Sequence, residues 1–192
     1  KAKTYFKKIF HSGRTYKWYA IKSLSRIMII ENDSKAALEY LHNNFKKLQS
    51  QNVHEIFDMA EFFKNNEKYK KSIVFYDKVS NSIDKNHILY SEASEGRGIA
   101  LERVGNWNKA ENDLLNSLSV SPNKAYVINY LAYSWIEQGI NIERSLKMLK
   151  KANKLKPNDG YITDSLGWAF FKLEKYLEAK KYLQLAVTLM PS

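Results

Sequence analysis

The sequence contains no cysteine, only three prolines and only seven glycines among its 192 residues. Without cysteine the chain has no disulfide, no thiolate metal ligand and no cysteine nucleophile. The scarcity of turn-forming residues excludes an all-β domain built from many short strands. Because 44% of the residues are hydrophobic and 14% are aromatic, the chain is also too apolar to be disordered. These absences leave a helical protein as the predicted class.

Long apolar runs and a secretion signal are also missing. No apolar stretch approaches the roughly 18–20 residues that a membrane-spanning helix needs. The opening residues, KAKTYFKKIF, lack the apolar core of a signal peptide, and they include no initiator Met. We therefore expect the chain to be a fragment or a processed form of a longer protein.

Acidic residues are in the minority, and the formal net charge is +11. Such a charge raises nucleic acid or an anionic membrane as partners. However, 26 of the 31 basic residues are Lys, whereas proteins that recognise nucleic acid favour Arg for its bidentate contacts. We interpret the charge mainly as an aid to solubility and keep nucleic-acid or anionic-surface binding as the alternative function.

The chain repeats itself about every 34 residues. Pro122, Pro157 and Pro191 are spaced by 35 and 34 residues. Eight residues before each proline lies a leucine, and five before it lies a small residue. These are Leu114, Leu149 and Leu183, and Ser117, Ala152 and Ala186. A period of this length with alternating large and small positions predicts helical hairpins that stack on one another.

The last of these units shows the pattern most completely. From Gly160 it carries Leu166-Gly167, Phe170, Tyr176, Ala179, Leu183, Ala186 and Pro191. This series resembles the tetratricopeptide repeat (TPR). The unit from Ala125 has one extra residue in its inter-helix turn, and the unit from Ser91 has Arg97 where leucine is usual. Two degenerate units start at Val53 and Trp18. The last two units look most like multi-repeat bacterial TPR proteins, several of which reside in the cell envelope.

The resemblance implies an all-α fold, a right-handed TPR-type α-solenoid of about five and a half repeats in a single domain. The expected segments are a second helix with its turn at 1–17, followed by repeats at 18–52, 53–90, 91–124, 125–159 and 160–192. Hairpins should start near Thr15, Val53, His87, Lys124 and Asn158. Gly167 should lie where two helices cross closely. The final helix should expose an apolar strip that favours further repeats or self-association, formed by Leu183, Ala186, Val187 and Met190.

In TPR proteins the first helix of each hairpin lines a concave groove, and a stripe along that helix contacts the ligand. By this resemblance we expect two groups of partner-binding residues. The aromatic and polar group is Tyr126, Asn129, Tyr133, Tyr161, Asp164 and Trp168. The acidic group is Asp58, Glu61, Glu92 and Glu95. The surplus lysines fall in pairs on the second helices, at Lys46-Lys47, Lys70-Lys71, Lys150-Lys151 and Lys180-Lys181. The alternative role for each groove residue is packing between repeats or a solvated helix face.

Signs of catalysis are lacking. The four histidines share no metal-ligand spacing, and the chain has no glycine-rich phosphate loop and no G-x-S-x-G motif. The Lys and Asn set with which some TPR proteins hold a terminal carboxylate is also absent. We therefore predict no catalytic residue, no metal and no cofactor. The predicted function is a protein–protein interaction scaffold that binds a partner peptide or protein segment in the groove.

Overall fold

The computed structural model describes Phe6 and residues 14–48 and 52–190. Within this part of the chain, ten α-helices and no strands are present. The helices are α1 (Arg14–Ile30), α2 (Ser34–Lys46), α3 (Val53–Asn65), α4 (Tyr69–Ser80), α5 (Ile88–Arg103), α6 (Trp107–Val120), α7 (Ala125–Glu137), α8 (Ile142–Leu155), α9 (Gly160–Lys172) and α10 (Tyr176–Leu189). None of the helices described is long and apolar enough to cross a bilayer. The all-α class expected from the sequence is confirmed.

The helices form five consecutive hairpins, α1–α2, α3–α4, α5–α6, α7–α8 and α9–α10, and each pair packs together. Below, α1, α3, α5, α7 and α9 are the first helices and the others are the second helices. All five predicted hairpin starts lie within two residues of the observed ones. The additional helix expected near residues 1–11 lies outside the described residues, apart from Phe6.

Each of these hairpins turns through the same backbone motif. The residue after the first helix is followed by one with positive φ, namely Asn32, Glu67, Gly105, Gly139 or Glu174. The next N–H then donates back to a carbonyl five residues earlier, as from Lys68 to Phe63 at 2.8 Å and from Lys175 to Phe170 at 2.9 Å. This Schellman arrangement satisfies carbonyls at the helix end and stops the helix.

The length of the turn varies at the position that the sequence predicts. Three residues separate the two helices in four of the described hairpins, whereas four residues, 138–141, separate α7 from α8. The longer turn has a second residue with positive φ, Asn141, a residue type that tolerates this conformation. The extra residue expected in this repeat is confirmed.

The starts of several first helices are capped by side chains. The Asn52 side chain accepts from the Glu55 N–H at 2.9 Å, and the Asn52 N–H donates to the Glu55 carboxylate at 3.1 Å. This reciprocal capping box satisfies two otherwise unpaired donors. Asp159 accepts from the Ile162 N–H at 3.1 Å and caps α9 without a reciprocal bond.

The chain divides into two compact units, one ending at Ser82 and the other starting at Ile83. The first unit buries the aromatic side chains Trp18, Phe45, Phe63 and Phe75. The Phe45 ring meets that of Trp18 at 5.4 Å and that of Phe75 at 5.8 Å. One aromatic core therefore joins α1, α2 and α4. That all repeats form one continuous solenoid stays a prediction.

In the second unit α7–α8 packs on α5–α6, and α9–α10 packs on α7–α8. Helix α9 contacts both α7 and α8, and Leu146 and Leu149 of α8 share a core with Leu166 and Phe170 of α9. Each hairpin thus covers the apolar face that the preceding hairpin cannot bury alone.

Small residues allow the helices of one hairpin to approach closely. A Cβ atom built on Gly167 would lie 2.8 Å from Cγ and 3.0 Å from the backbone N of Leu183 on α10. Gly98, at the corresponding position of α5, would meet Leu114 on α6 at 3.1 Å. The close crossing predicted at Gly167 is confirmed.

The apolar strip expected on the last helix needs a correction. Val187 is 72% exposed, but Ala186 is buried, and Leu183 and Met190 are only partly exposed. Ala186 belongs to the small-residue face that α10 packs inward, so it cannot contribute to an exposed strip. The most exposed apolar residue of α10 is instead Leu177, at 85%.

Candidate functional site

Two neighbouring first helices, α7 and α9, carry matching rows of aromatic and polar side chains. The rows are Tyr126, Asn129 and Tyr133 on α7 and Tyr161, Asp164 and Trp168 on α9. Within each row the residues are three and four positions apart, so each row lies along one side of its helix. Because α7 and α9 pack against each other, the six predicted residues lie on adjacent helices of the second unit. We call this set the α7–α9 surface.

The three tyrosines of the α7–α9 surface are open to solvent. Tyr161 is 72% exposed and Tyr126 is 54% exposed, and Tyr133 is also exposed. The Tyr126 hydroxyl donates to Asp159 Oδ2 at 2.9 Å, and this hydrogen bond raises the pKa of Tyr126. The hydrogen bond orients the Tyr126 ring from one end. Lys156 Nζ lies 5.5 Å from the centre of this ring, and more than half of the side chain stays exposed to solvent.

Trp168 and Asn129 are more enclosed. Trp168 Nε1 donates to Glu137 Oε1 at 2.6 Å, and its ring stacks on Phe171 with the centroids 5.1 Å apart. Asn129 is half-buried, and its Oδ1 has no hydrogen-bond partner in the described part of the chain. Trp168 therefore has a packing role between neighbouring hairpins, which is the alternative considered from the sequence.

A cleft of about 540 Å³ lies beside Tyr133 in the second unit. It is bounded by the end of α5, the turn into α6 and the second half of α7. We call it the α5–α7 cleft. Its lining residues are Glu102, Arg103, Gly105, Trp107, Tyr130, Tyr133, Ser134, Glu137 and Gln138.

The α5–α7 cleft combines aromatic rings with carboxylates. The Tyr130 hydroxyl donates to Glu102 Oε2 at 2.8 Å, and burial together with this hydrogen bond raises the pKa of Tyr130 far above its usual value. Burial and the nearby carboxylates of Glu137 and Asp164 also raise the pKa of Tyr133. Both phenols therefore stay neutral near pH 7, and the negative charge of the cleft belongs to the glutamates.

The predicted acidic residues of the first unit are paired within the chain. Asp58 Oδ2 accepts from Lys22 Nζ at 2.6 Å and from Trp18 Nε1 at 2.8 Å. Glu61 accepts from Lys64 Nζ at 2.8 Å. These contacts join α1 to α3 and bridge successive turns of α3, and each neutralises a carboxylate that the sequence suggested as a free negative charge.

The acidic residues of the second unit differ from each other. Glu95 forms a 2.5 Å ion pair with Lys124, which directly precedes α7. Glu92 is exposed one turn earlier on α5. Glu92 therefore keeps its charge in solvent, whereas that of Glu95 is largely compensated.

The first unit has a cleft of its own, which is smaller, with a volume of about 350 Å³. It lies between α1 and α3 and is lined by Lys22, Arg26, Ile29, Ile30, Asp58, Glu61, Phe62, Asn65 and Asn66. Its charges are mixed in sign, with Lys22 already bound to Asp58. The lining therefore favours no single class of ligand.

All four lysine pairs expected on the second helices are exposed, although Lys47 directly follows the end of α2. Some of them also contact aromatic rings. Lys71 Nζ lies 5.6 Å from the centre of the Phe63 ring, and Lys150 Nζ lies 5.5 Å from that of Phe170. These lysines cover apolar surface with their stems as well as contributing charge.

Sequence reasoning missed Trp107, Tyr130 and Glu137 as lining residues of the α5–α7 cleft. Trp107 occupies a repeat position that normally fills the core, and Tyr130 lies one residue outside the stripe that the TPR resemblance selects. The sequence does show that Trp107 directly follows the inter-helix turn after Arg103, and this was the one indication of the cleft. The position of a residue within one helix could not show that the turn between α5 and α6 lies beside α7.

Known proteins resemble this chain in sequence and in fold. The chain is 26% identical over 133 residues to a TPR repeat-containing protein of Pseudomonas aeruginosa. The match covers 69% of this chain but only 22% of that relative, so the chain spans about a fifth of the relative's length. No protein-family model matches the chain.

Three solved structures share the fold at low sequence identity. MamA 41-end from Desulfovibrio magneticus RS-1 aligns with a TM-score of 0.71 at 18% identity, over 90% of this chain and 94% of that one. A putative kinesin light chain from Podosopora anserina with nearly identical TPR-like repeats gives 0.71 at 13% identity, over the same shares of the two chains. BtubC (BKLC) from P. vanneervenii gives 0.77 at 12% identity, over 98% and 86%. The expected resemblance to TPR proteins is confirmed.

Proposed function

Because the chain has the fold of the tetratricopeptide repeat proteins, we propose that it is a protein-binding scaffold that holds an extended or helical segment of a partner protein on its first helices. Proteins of this fold typically act as scaffolds rather than enzymes. In the second unit, the segment would lie across the α7–α9 surface.

The observation that carries this proposal is the exposure of Tyr126 and Tyr161 at corresponding positions of two packed helices. A tyrosine has a large rigid ring and a polar end, and it loses little conformational entropy on binding, so it is a frequent anchor of protein interfaces. Apolar ring surface that stays exposed to water adds little to the stability of the chain alone. A partner segment would bury both rings and gain apolar contact at each.

We propose a lesser role for the acidic positions. Asp58, Glu61 and Glu95 lie beside lysines that largely cancel their charges, so they would give a partner orientation rather than strong attraction. Glu92 and Asp164 are exposed and would attract basic groups of a partner. Complementary charge at such exposed sites mainly raises the association rate and is weakened by salt.

The experiment selects a binding peptide from a random display library and measures its affinity for the chain by fluorescence anisotropy. The double variant Tyr126→Ala/Tyr161→Ala should bind more than about tenfold more weakly, because hot-spot aromatics typically contribute this much. Far-UV circular dichroism should show unchanged helicity, since neither ring is buried. The matched control is Tyr176→Ala, which removes an equally exposed tyrosine from a second helix.

Equal affinity for the chain and the double variant would contradict the α7–α9 surface as the binding site. A loss as large in Tyr176→Ala would point instead to the second helices. Selection of strongly acidic ligands whose binding collapses as salt rises would favour the alternative, in which the lysine pairs bind nucleic acid or an anionic surface.

A further inference from the structure

The α5–α7 cleft brings two carboxylates and several aromatic rings together in one cavity. Two carboxylates, Glu102 and Glu137, lie on its wall, and each is held by a hydrogen bond from an aromatic side chain. Tyr130 holds Glu102 at 2.8 Å, and Trp168 holds Glu137 at 2.6 Å. Each of these contacts engages one carboxylate oxygen. The carboxylates are therefore oriented in advance, and no donor from the described residues engages their second oxygens.

The other walls of the α5–α7 cleft are aromatic. The rings of Trp107, Tyr130 and Tyr133 all line it. The face of an aromatic ring attracts a cation, and a guanidinium group stacks on it especially well. The second unit makes this contact with its own side chains, because the Arg144 guanidinium lies 4.7 Å from the centre of the Trp135 ring and Lys172 Nζ lies 5.0 Å from that of Trp168.

The charge and the volume of the α5–α7 cleft narrow the class of ligand that it can bind. The lining has two glutamates and one cation, Arg103, so its formal charge is negative. Arg103 Nε is 3.5 Å from Glu102, and the Arg103 side chain is more than half exposed, so this pair is loose. Glu137 has no cationic partner among the described residues. A volume of about 540 Å³ lies within the range of ligand-binding pockets.

We propose that the α5–α7 cleft binds an arginine side chain of the partner protein, with the guanidinium donating to Glu137 and stacking on the neighbouring rings. This inference rests on the proposed function and names one group that the partner supplies. Arginine fits better than lysine because its planar guanidinium stacks on a ring and donates to a carboxylate at the same time. An acidic side chain would instead meet two carboxylates in the cleft.

The test needs no partner protein. The full chain, labelled with ¹⁵N, is titrated with N-acetyl-arginine amide, and the indole N–H signals of its four tryptophans are followed by NMR. The signals of Trp107 and Trp168 should shift and saturate, whereas that of Trp18 in the first unit should not move. The neutral N-acetyl-glutamine amide and the acidic N-acetyl-glutamate amide serve as control ligands and should cause no saturable shift.

Variants then connect the response to the carboxylates. Glu137→Gln keeps an acceptor for Trp168 but removes the charge, so it should weaken binding of the arginine amide by about tenfold, the usual effect of losing a charge-assisted hydrogen bond. Glu102→Gln should weaken it less, because Arg103 already shares that carboxylate. Glu143→Gln, at an exposed position at the start of α8, is the matched control and should have no effect.

An unmoved Trp107 signal, or equal affinity of Glu137→Gln and the unaltered chain, would overturn the proposal. Preferential binding of the glutamate amide would also overturn it and would identify Arg103 as the dominant group. The Tyr126→Ala/Tyr161→Ala variant should bind the arginine amide normally. The two proposals can therefore fail separately, one through the arginine amide and the other through the selected peptide.

Discussion

Arg97 lies at a position where the other described repeats have an apolar residue, Leu24, Met59, Leu131 or Leu166. Its guanidinium reaches across to α6 and donates to both oxygens of Asp113, from Nε at 2.6 Å and from Nη2 at 2.7 Å. The hairpin α5–α6 therefore replaces an apolar contact by a bidentate ion pair. The geometry fixes how α5 and α6 meet, since a forked donor and a carboxylate match in one orientation.

We predict that Asp113→Ala lowers the free energy of unfolding by about 3 kcal/mol, because it leaves the guanidinium without its main counter-charge. This is the lower end of the range for buried pairs, since the Arg97 side chain keeps 19% exposure. The double variant Arg97→Leu/Asp113→Leu should return close to the original stability, as apolar replacements of buried ion pairs often do. Urea unfolding followed by circular dichroism measures both.

The control for this pair is Arg103→Gln, which removes the cation of the exposed pair with Glu102. Exposed pairs contribute up to about 1 kcal/mol, so the variant should change stability only slightly. A double variant as unstable as Asp113→Ala would contradict the expectation, because the loss would then come from the shape of the replaced side chains and not from removal of the carboxylate that faces Arg97.

At the scale of helices and turns, much of the fold follows from the sequence. The 34-residue period determines where the hairpins lie, because small residues must recur where helices cross. The extra residue before Ile142 appears directly in the longer turn. Glu67 and Glu174 were not foreseen as residues of positive φ, since Gly and Asn usually take that position. Their conformation follows from the turn that the packed hairpin imposes.

The candidate site could be predicted only in part. The spacing along α7 and α9 predicts that Tyr126 and Tyr161 lie on one side of their helices and are exposed, because this depends on one helix at a time. The pairing of Asp58 with Lys22 depends on how α1 meets α3, and the residues are 36 positions apart. Such a contact needs the relative placement of two helices and the rotamers of two long side chains. The period of the repeat gives no information about either the placement of the two helices or the rotamers.

We predict that Gly167→Leu destabilises the hairpin α9–α10 by roughly 1–3 kcal/mol or more, the typical cost of overpacking a close contact. The first atom of any added side chain already meets Leu183, including its backbone N at 3.0 Å, so rotation of the Leu183 side chain cannot relieve the whole clash. Thermal unfolding of the variant measures the loss.

The matched control adds the same side chain at an exposed position of α9, in Lys172→Leu. Its melting temperature should stay close to that of the unaltered chain. The variant loses only the contact between Lys172 and the Trp168 ring. Equal melting temperatures for Gly167→Leu and the unaltered chain would show that α9 and α10 do not cross at this residue.

At the scale of the whole molecule, the net charge of +11 is distributed unevenly between the two kinds of helix. The exposed lysine pairs are on the second helices, whereas the carboxylates of the first helices are paired or exposed one at a time. A partner with basic groups is therefore repelled by the chain as a whole and attracted only locally, at sites such as Glu92, Asp164 and the α5–α7 cleft. Salt should weaken the long-range repulsion before it weakens a partly buried pair.

The exposed apolar side chains of α10 lead to a prediction about self-association. On the preceding second helix, α8, an apolar face is covered by α9, and Leu146 and Leu149 are buried there. Among the described residues no helix follows α10, and Val187 and Leu177 are its most exposed apolar side chains. We expect the chain to associate with a second copy through α10, because this contact removes apolar surface from water.

Multi-angle light scattering should then show a mass that rises with concentration, and the variant Leu177→Gln/Val187→Gln should shift this rise to higher concentration. The substitutions leave the net charge unchanged, so a difference cannot arise from altered repulsion between copies. Ile88→Gln, which replaces an exposed apolar residue at the start of α5, is the matched control. A monomeric mass over the whole concentration range, or an equal change in Ile88→Gln, would contradict association through α10. The first result would show that the repulsion between two strongly basic chains outweighs the apolar contact that α10 offers.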